Sequence, residues 1–236
     1  METHRAAGRG AVALRQVRPS FDTTMRASAV RQAKPTGGLE PGDHGRPVAA
    51  LKDALRGAGY LVDTDSDRYT SATRDAVMAF QKVNGLPRTG NASPRTIEAL
   101  RTPVQPPLVG GPETRLEVDK STQTGVFLRG GRIEYIVNAS TGQPRVYDGK
   151  YRETPAGAYE VAWKVNGWRE SDLGLLYKPS YFHDGLAVHG AAKVPAYPAS
   201  HGCVRVPMWA ADKVFRDLSL GTPIIIHNGA SGMQSR

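Results

Sequence analysis

Cys203 is the only cysteine in the chain, which excludes an internal disulfide and any zinc motif built on cysteine pairs. It lies in Ser200-His201-Gly202-Cys203-Val204-Arg205, with Ala187-Val188-His189-Gly190 upstream. A thiol is mostly protonated near neutrality, and only the thiolate attacks carbonyls well. An imidazole within hydrogen-bond reach can take the proton. Gly202 beside the sulfur allows tight backbone geometry and close substrate approach. Such geometry could aim the Cys203 N–H at a developing oxyanion. Two other readings stand beside this one. A lone cysteine is often a small buried hydrophobe. Alternatively Cys203, His201, His189 and His183 could hold a metal, although one sulfur without a carboxylate is an uncommon set for structural zinc.

The elements that must position these residues follow from periodicity. From Arg115 onward the period shifts towards two, with Leu116 and Val118 alternating with Glu117 and Asp119. Gly125–Leu128 and Ile133–Val137 read as strands joined by a hairpin with Gly130-Gly131 at its centre. Ala158–Val165 reads as one further strand, and Leu186–Val188 and Val204–Val206 as short strands around the histidines. Met208, Ala211, Phe215 and Leu218 share one helical face, and Ile224-Ile225-Ile226 is a buried final strand. This half of the chain is expected to be mainly β and sandwich-like, with one late helix.

Leu39–Leu100 is different. Val48, Leu51 and Leu55 make one helix face, and Gly57 and Gly59 end it. Thr70 or Ser71 caps a second helix with the stripe Ala76, Val77, Phe80 and Val83. Ser93-Pro94 opens a short third helix carrying Ile97 and Leu100. The result is a small three-helix module without a nucleophile or metal cluster. Thr102–Pro112 (TPVQPPLVGGP) reads as a linker, semi-rigid where its prolines cluster.

Both halves carry a resemblance. Leu39-Glu40-Pro41-Gly42-Asp43-His44-Gly45, Thr73-Arg74 with Ala76-Val77 and Phe80-Gln81, Asn84-Gly85-Leu86 and Thr89-Gly90 resemble the type-1 peptidoglycan-binding domain. Asp65–Tyr69 stands where that family has an Asp-Gly-x-Phe-Gly turn. His189-Gly190 with Ser200–Arg205 resembles the signature of the L,D-transpeptidase catalytic domain, and Thr154-Pro155-x-Gly157-x-Tyr159 its upstream strand entry. The resemblance implies Cys203 as nucleophile and His189 as general base, with the Gly190 carbonyl orienting the imidazole. It implies that the Gly202 and Cys203 amides line the oxyanion hole, with His201 beside it. Arg205 would meet a substrate carboxylate, for which its fork is suited. Ser200 supports the loop or substrate, and Tyr181 walls the cleft together with Trp163 and Trp168, unless these three pack in the core. The implied reaction is acyl transfer from a tetrapeptide stem, releasing D-Ala, to an amine of a neighbouring stem, giving a 3-3 crosslink. Water as acceptor would give an L,D-carboxypeptidase, and a dead site would leave a wall-binding protein. No cofactor or metal is needed.

The 236 residues carry a net charge of +9. Arg5, Arg9, Arg15, Arg18, Arg26, Arg31 and Lys34 against Glu2 and Asp22 place more than half of it in the first 34 residues. The charge is therefore read as a flexible basic head and not as a nucleic-acid surface. The expected organisation is a disordered segment over 1–37, a helical domain over 38–102, a linker over 103–112, a catalytic domain over 113–229 and a tail over 230–236. A monomer is expected, with peptidoglycan as its partner. No run of about 18 apolar residues is present, so no transmembrane helix is expected. The substrate implies an extracytoplasmic location, although no signal peptide is visible and Met25 is an alternative start.

Overall fold

The structure is a computed structural model that describes residues 37–229; the basic head and the 230–236 tail lie outside the described residues. Three helices come first: α1 (Arg46–Gly57), α2 (Ser71–Val83) and α3 (Pro94–Ala99). Thr70 caps α2 reciprocally, accepting from the Thr73 N–H while the Thr73 hydroxyl accepts from the Thr70 N–H. Ser93 accepts from the Thr96 N–H, and Pro94 follows where no helical donor is needed. Val48, Leu51 and Leu55 of α1 meet Ala76, Val77 and Phe80 of α2 in one apolar cluster.

The remaining elements form two sheets. The first has the order β3-β2-β1-β12-β6, from β1 (Arg115–Asp119), β2 (Thr124–Arg129), β3 (Arg132–Asn138), β6 (Gly157–Glu160) and β12 (Pro223–His227). The second has the order β11-β10-β9-β7, from β7 (Trp163–Lys164), β9 (Gly174–His183), β10 (Leu186–Ala191) and β11 (Val204–Pro207), and β8 (Trp168–Ser171) also pairs with β9. A hairpin of β4 (Val146–Tyr147) and β5 (Lys150–Tyr151) stands apart, and α4 (Met208–Asp217) packs on the second sheet. Leu116, Val118, Phe127, Ile224 and Ile226 of the first sheet share a core with Val188, Val204, Val206 and α4. This is the mainly β architecture with one late helix that the sequence predicts, preceded by the helical module.

Three details differ from the sequence reading. The expected Ala158–Val165 strand changes sheets at its centre: β6 pairs with β12, whereas β7 pairs with β9. Val161 bonds to Thr222, the residue before β12 of the first sheet, and Ala162 to Tyr181 of the second, so the corner falls between them. The buried side of α4 is Ala210, Ala211 and Val214, with Met208 and Phe215 only half-buried. Glu117 and Asp119 are buried and do not form a solvated face. The reason is that the first sheet is covered on its outer side. Val126, Leu128 and Ile136 belong to the same apolar cluster as Leu55 and Phe80 of the helical module. The unbroken run Val126-Phe127-Leu128 fits a strand buried on both faces.

The covering module is also tied by polar contacts. Leu61 N–H donates to Ile136 O at 2.8 Å, and Ile136 N–H donates to Gly59 O at 2.8 Å. The 103–112 stretch is pinned as well. Val109 N–H donates to Glu117 Oε2 at 2.8 Å, and Arg115 donates to Gly111 O at 2.8 Å while pairing with Glu117. The stretch read as a semi-rigid linker is thus held against β1, while the two modules share a core.

Candidate active site

The site grows out of the parallel pairing of β10 with β11. Val188 lies opposite Val204, and His189 opposite Arg205. Side chains alternate along a strand, so Ala187, His189, Cys203 and Arg205 share one face. Val188, Val204 and Val206 take the other and enter the core. The antiparallel register extends the polar face outward, because Tyr181 of β9 lies opposite Ala187 and Trp163 of β7 opposite Tyr181. Cys203 packs against Ala187 and Tyr181. Backbone pairing thus gathers Cys203, His189, Arg205 and Tyr181, which are scattered over the sequence.

His189 is 7% exposed, and its Nδ1 lies 2.9 Å from Gly190 O. A carbonyl only accepts, so in neutral imidazole Nδ1 carries the hydrogen and Nε2 the lone pair. Burial pushes this imidazole down to about 4; the Gly190 carbonyl opposes the fall and the Arg205 charge adds to it. Burial pushes the Cys203 thiol up, against a backbone hydrogen bond from Ala187 and the Arg205 charge. Both shifts favour uncharged groups at rest: a thiol and a neutral imidazole on one face of the ladder. A standing thiolate–imidazolium pair would require the opposite shifts.

The loop before Cys203 is braced from beneath. Ser200 is 2% exposed. Its hydroxyl accepts from the Gly202 N–H at 3.1 Å and donates to the Cys203 carbonyl. It therefore holds the turn, away from the cleft surface. Gly202 has φ +120°, and a Cβ there would come within 2.8 Å of Leu186. The Gly202 carbonyl accepts from Thr154 Oγ1 at 2.7 Å, and Thr154 Oγ1 accepts from the Gly142 N–H at 2.8 Å. The Gly202 N–H is thus taken up inside the turn. Among the described residues, the His201 and Cys203 amides have no such acceptor.

Residues 138–142 form the spine of this loop. Ser140 exchanges backbone hydrogen bonds with Arg205 at 3.0 and 2.9 Å, and Thr141 O accepts from the Ala199 and Ser200 amides. The start of the spine is held by the helical module. Buried Lys82 of α2 donates to Gln123 O at 2.9 Å, to Asn138 Oδ1, and to Ala139 O at 2.9 Å. Asn138 Nδ2 donates in turn to Asp75 and to Val194 O, both at 3.2 Å.

His201 lies at the mouth, half-buried, with its ring 4.5 Å from Tyr147 of the β4–β5 hairpin. Burial lowers its pKa, and Arg205, Arg152 and Arg145 lower it further. The mouth is therefore cationic. Tyr181 is buried and stacks on Trp163 at 3.7 Å between ring centroids. Burial and the nearby Cys203 raise the Tyr181 pKa, while Arg169 opposes. Trp163 and Trp168 are 45% and 57% exposed, so neither is a core residue.

Sequence reasoning missed Arg145, Arg152 and Tyr147, which reach His201 only through the hairpin turn at Asp148-Gly149, both at positive φ. It also missed Thr154 as a brace, although its motif was noticed. His183 lies beside Asp184 at 3.5 Å and Tyr159 at 4.9 Å, and His227 is buried beside Glu117 at 3.6 Å. Among the described residues, no three His, Cys, Asp or Glu side chains gather to hold a metal ion. The four-ligand alternative thus lacks a geometry.

Residues 113–226 match the family described as L,D-transpeptidase catalytic domain, and residues 44–100 that described as putative peptidoglycan binding domain. No curated protein matches the chain. Among solved structures, the L,D-transpeptidase from Xylanimonas cellulosilytica is 33% identical, with a TM-score of 0.77 over 83% of this chain and 100% of that one. An L,D-transpeptidase from Stackebrandtia nassauensis is 21% identical, with a TM-score of 0.49 over 85% of this chain and 100% of that one. One from Mycobacterium tuberculosis is 23% identical, with a TM-score of 0.43 over 50% of this chain and 58% of that one. A catalytic-domain match lying over the whole β half, and a relative one-third identical along its full length, lead to one conclusion: the chain belongs to the L,D-transpeptidase family.

Proposed function

We propose that the chain is a peptidoglycan L,D-transpeptidase that works by cysteine acyl transfer. The observation that carries the reading is the β10–β11 register, which gives His189 and Cys203 a common face while Gly190 O holds the imidazole by Nδ1. Cys203 Sγ attacks the carbonyl between the third residue of a tetrapeptide stem and its terminal D-Ala. A C–S bond forms, and the thiol proton passes to His189 Nε2. The Cys203 and His201 amides, which have no other acceptor among the described residues, would meet the oxyanion. The C–N bond then breaks, His189 returns the proton to the departing amine, and D-Ala leaves. An amine of a neighbouring stem attacks the thioester, gives its proton to His189, and displaces the sulfur, which is reprotonated. The product is a 3-3 crosslink. Water in place of the amine gives the carboxypeptidase reaction.

The neutral thiol and neutral imidazole support proton transfer in step with attack, because no charged pair must be desolvated beforehand. Arg205, Arg152 and Arg145 suit the carboxylates of a stem peptide. Both matched families address peptidoglycan, which implies action outside the cytoplasm. No helix among the described residues is long and apolar enough to cross a membrane.

Intact mass spectrometry after incubation with a tetrapeptide stem tests the reading. The expected result is one adduct with release of D-Ala, and with a single cysteine a thioester adduct can form only on Cys203. Turnover without any adduct in single-turnover experiments, or crosslinking by Cys203→Ala, would overturn it. Adding an amine acceptor then separates crosslinking from hydrolysis.

A further inference from the structure

Lys82 is 2% exposed, in an interface otherwise closed by Leu55, Phe80, Val126 and Ile136. Burying an amine costs desolvation that an apolar contact avoids. Docking the helical module therefore does not call for a lysine. What the amine adds is direction. Its donations to Gln123 O, Asn138 Oδ1 and Ala139 O use every hydrogen it can carry.

Each of these contacts leads on to the Cys203 loop. Gln123 Oε1 accepts from the Thr141 N–H at 2.7 Å, and Gln123 Nε2 donates to Thr141 Oγ1 at 2.8 Å. Thr141 O in turn receives the Ala199 and Ser200 amides. Asn138 Nδ2 donates to Val194 O, in the segment that joins His189 to Cys203, and to Asp75 Oδ1. Asp75 Oδ2 accepts from Trp209 Nε1 at 3.0 Å, and Trp209 is the second residue of α4, which follows β11 directly. Ser140 Oγ donates to Tyr197 O at 2.7 Å. Beyond β3 the spine meets the loop only through isolated bridges, Ser140 with Arg205 and Gly142 with Ser200. Without a continuous ladder, its placement depends on these side-chain bonds. Lys82 and Asp75, both on α2, thus hold the spine, the 192–199 segment and the start of α4.

We propose that Lys82 and Asp75 of the helical module are positioning residues for the reaction at Cys203, fixing through Asn138 where the Cys203 turn stands relative to His189. Neither side chain touches the reacting atoms. The proposal rests on the acyl-transfer reading and deepens it: the helical module is part of the catalytic unit as well as a wall-binding attachment. Misplacement of a reacting pair by about 1 Å costs on the order of 10²-fold in rate, so a loosened spine is felt at the thiol.

The test compares Lys82→Met and Asp75→Asn with Leu55→Ala in the full chain. Leu55→Ala weakens the same interface without touching the polar network, and denaturant unfolding gives the folded fraction of each variant. The first readout is D-Ala release from a tetrapeptide stem. Lys82→Met is expected to lower kcat per folded molecule roughly 10–100-fold with KM within about twofold. Asp75→Asn keeps one of two acceptor oxygens and is expected to lower kcat about 3–10-fold. Leu55→Ala is expected to lose stability and keep kcat within about twofold. The second readout needs no turnover: the pH profile of Cys203 alkylation by iodoacetamide, expected to depart from wild type in the two network variants and to match it in Leu55→Ala. Unchanged kcat and unchanged alkylation in both network variants overturn the proposal. So does an equal loss of kcat in Leu55→Ala, which would mean general loosening. If Lys82→Met does not fold, Asp75→Asn decides. If the wild type releases no D-Ala, the acyl-transfer reading fails, and the alkylation profiles alone decide whether Lys82 and Asp75 position the thiol.

Discussion

The two faces of the β10–β11 ladder differ in every respect that matters for their roles. One face, Val188, Val204 and Val206, is dry and joins the core between the sheets. The other, Ala187, His189, Cys203 and Arg205, is polar and opens to the cleft beside Tyr181. The same peptide bonds support both. Strand alternation lets one short ladder separate stability from chemistry by a single step along the chain. Substitutions on one face should therefore change turnover at constant stability, and those on the other should do the reverse.

The largest expected effect is on the polar face. Cys203→Ala should lower crosslinking by at least about 10⁴-fold, with the melting temperature close to wild type, measured by product analysis and calorimetry. His189→Gln should lower kcat by about 10²–10⁴-fold with little change in KM. On the dry face, Val206→Ala should cost about 2 kcal/mol in denaturant unfolding, while kcat per folded molecule stays within about twofold. If Val206→Ala lowers kcat as strongly as His189→Gln does, the two faces are not separable.

The smallest effect is the pH dependence. In the proposed mechanism the base must be neutral, and burial and Arg205 push His189 down to about 4, below its ordinary value. Activity lost by protonating this group should therefore disappear as pH falls towards about 4, leaving kcat/KM flat across the interval where an ordinary histidine titrates. The sign carries over to stability. A depressed imidazole contributes fully above its unfolded value, and the contribution is lost as pH falls through the folded one. An acid limb near 6.5 in the kcat/KM profile would contradict the buried neutral base.

The legibility of the site follows from distance along the chain. Gly190, Ser200, Gly202 and Arg205 flank His189 or Cys203 in sequence, so their neighbourhood was readable from the motif. Tyr181 was readable only as a candidate, because its place beside Cys203 depends on strand register. Arg145 and Arg152 come to His201 through the β4–β5 hairpin, and no local pattern announces that approach. The helices were readable from caps and stripes at Thr70 and Ser93. Their docking was not, since the contacts that fix it, Gly59 and Leu61 to Ile136 and Lys82 to Gln123, Asn138 and Ala139, join residues more than forty positions apart. The buried run at Val126–Leu128 was a sign that β2 has no wet face.

That shared cluster bears on how freely the halves could be exchanged. Val126, Leu128 and Ile136 complete the core of Leu55 and Phe80, and Lys82 completes the polar satisfaction of residues 123–139. Grafting this β domain onto another binding module would leave a bare apolar sheet face and two oxygens, Asn138 Oδ1 and Ala139 O, without their donor. Such a chimera would be prone to self-association before it was tested for activity. The halves look like interchangeable parts in sequence, but in three dimensions each serves as part of the other's interior, and they should melt together in a single transition.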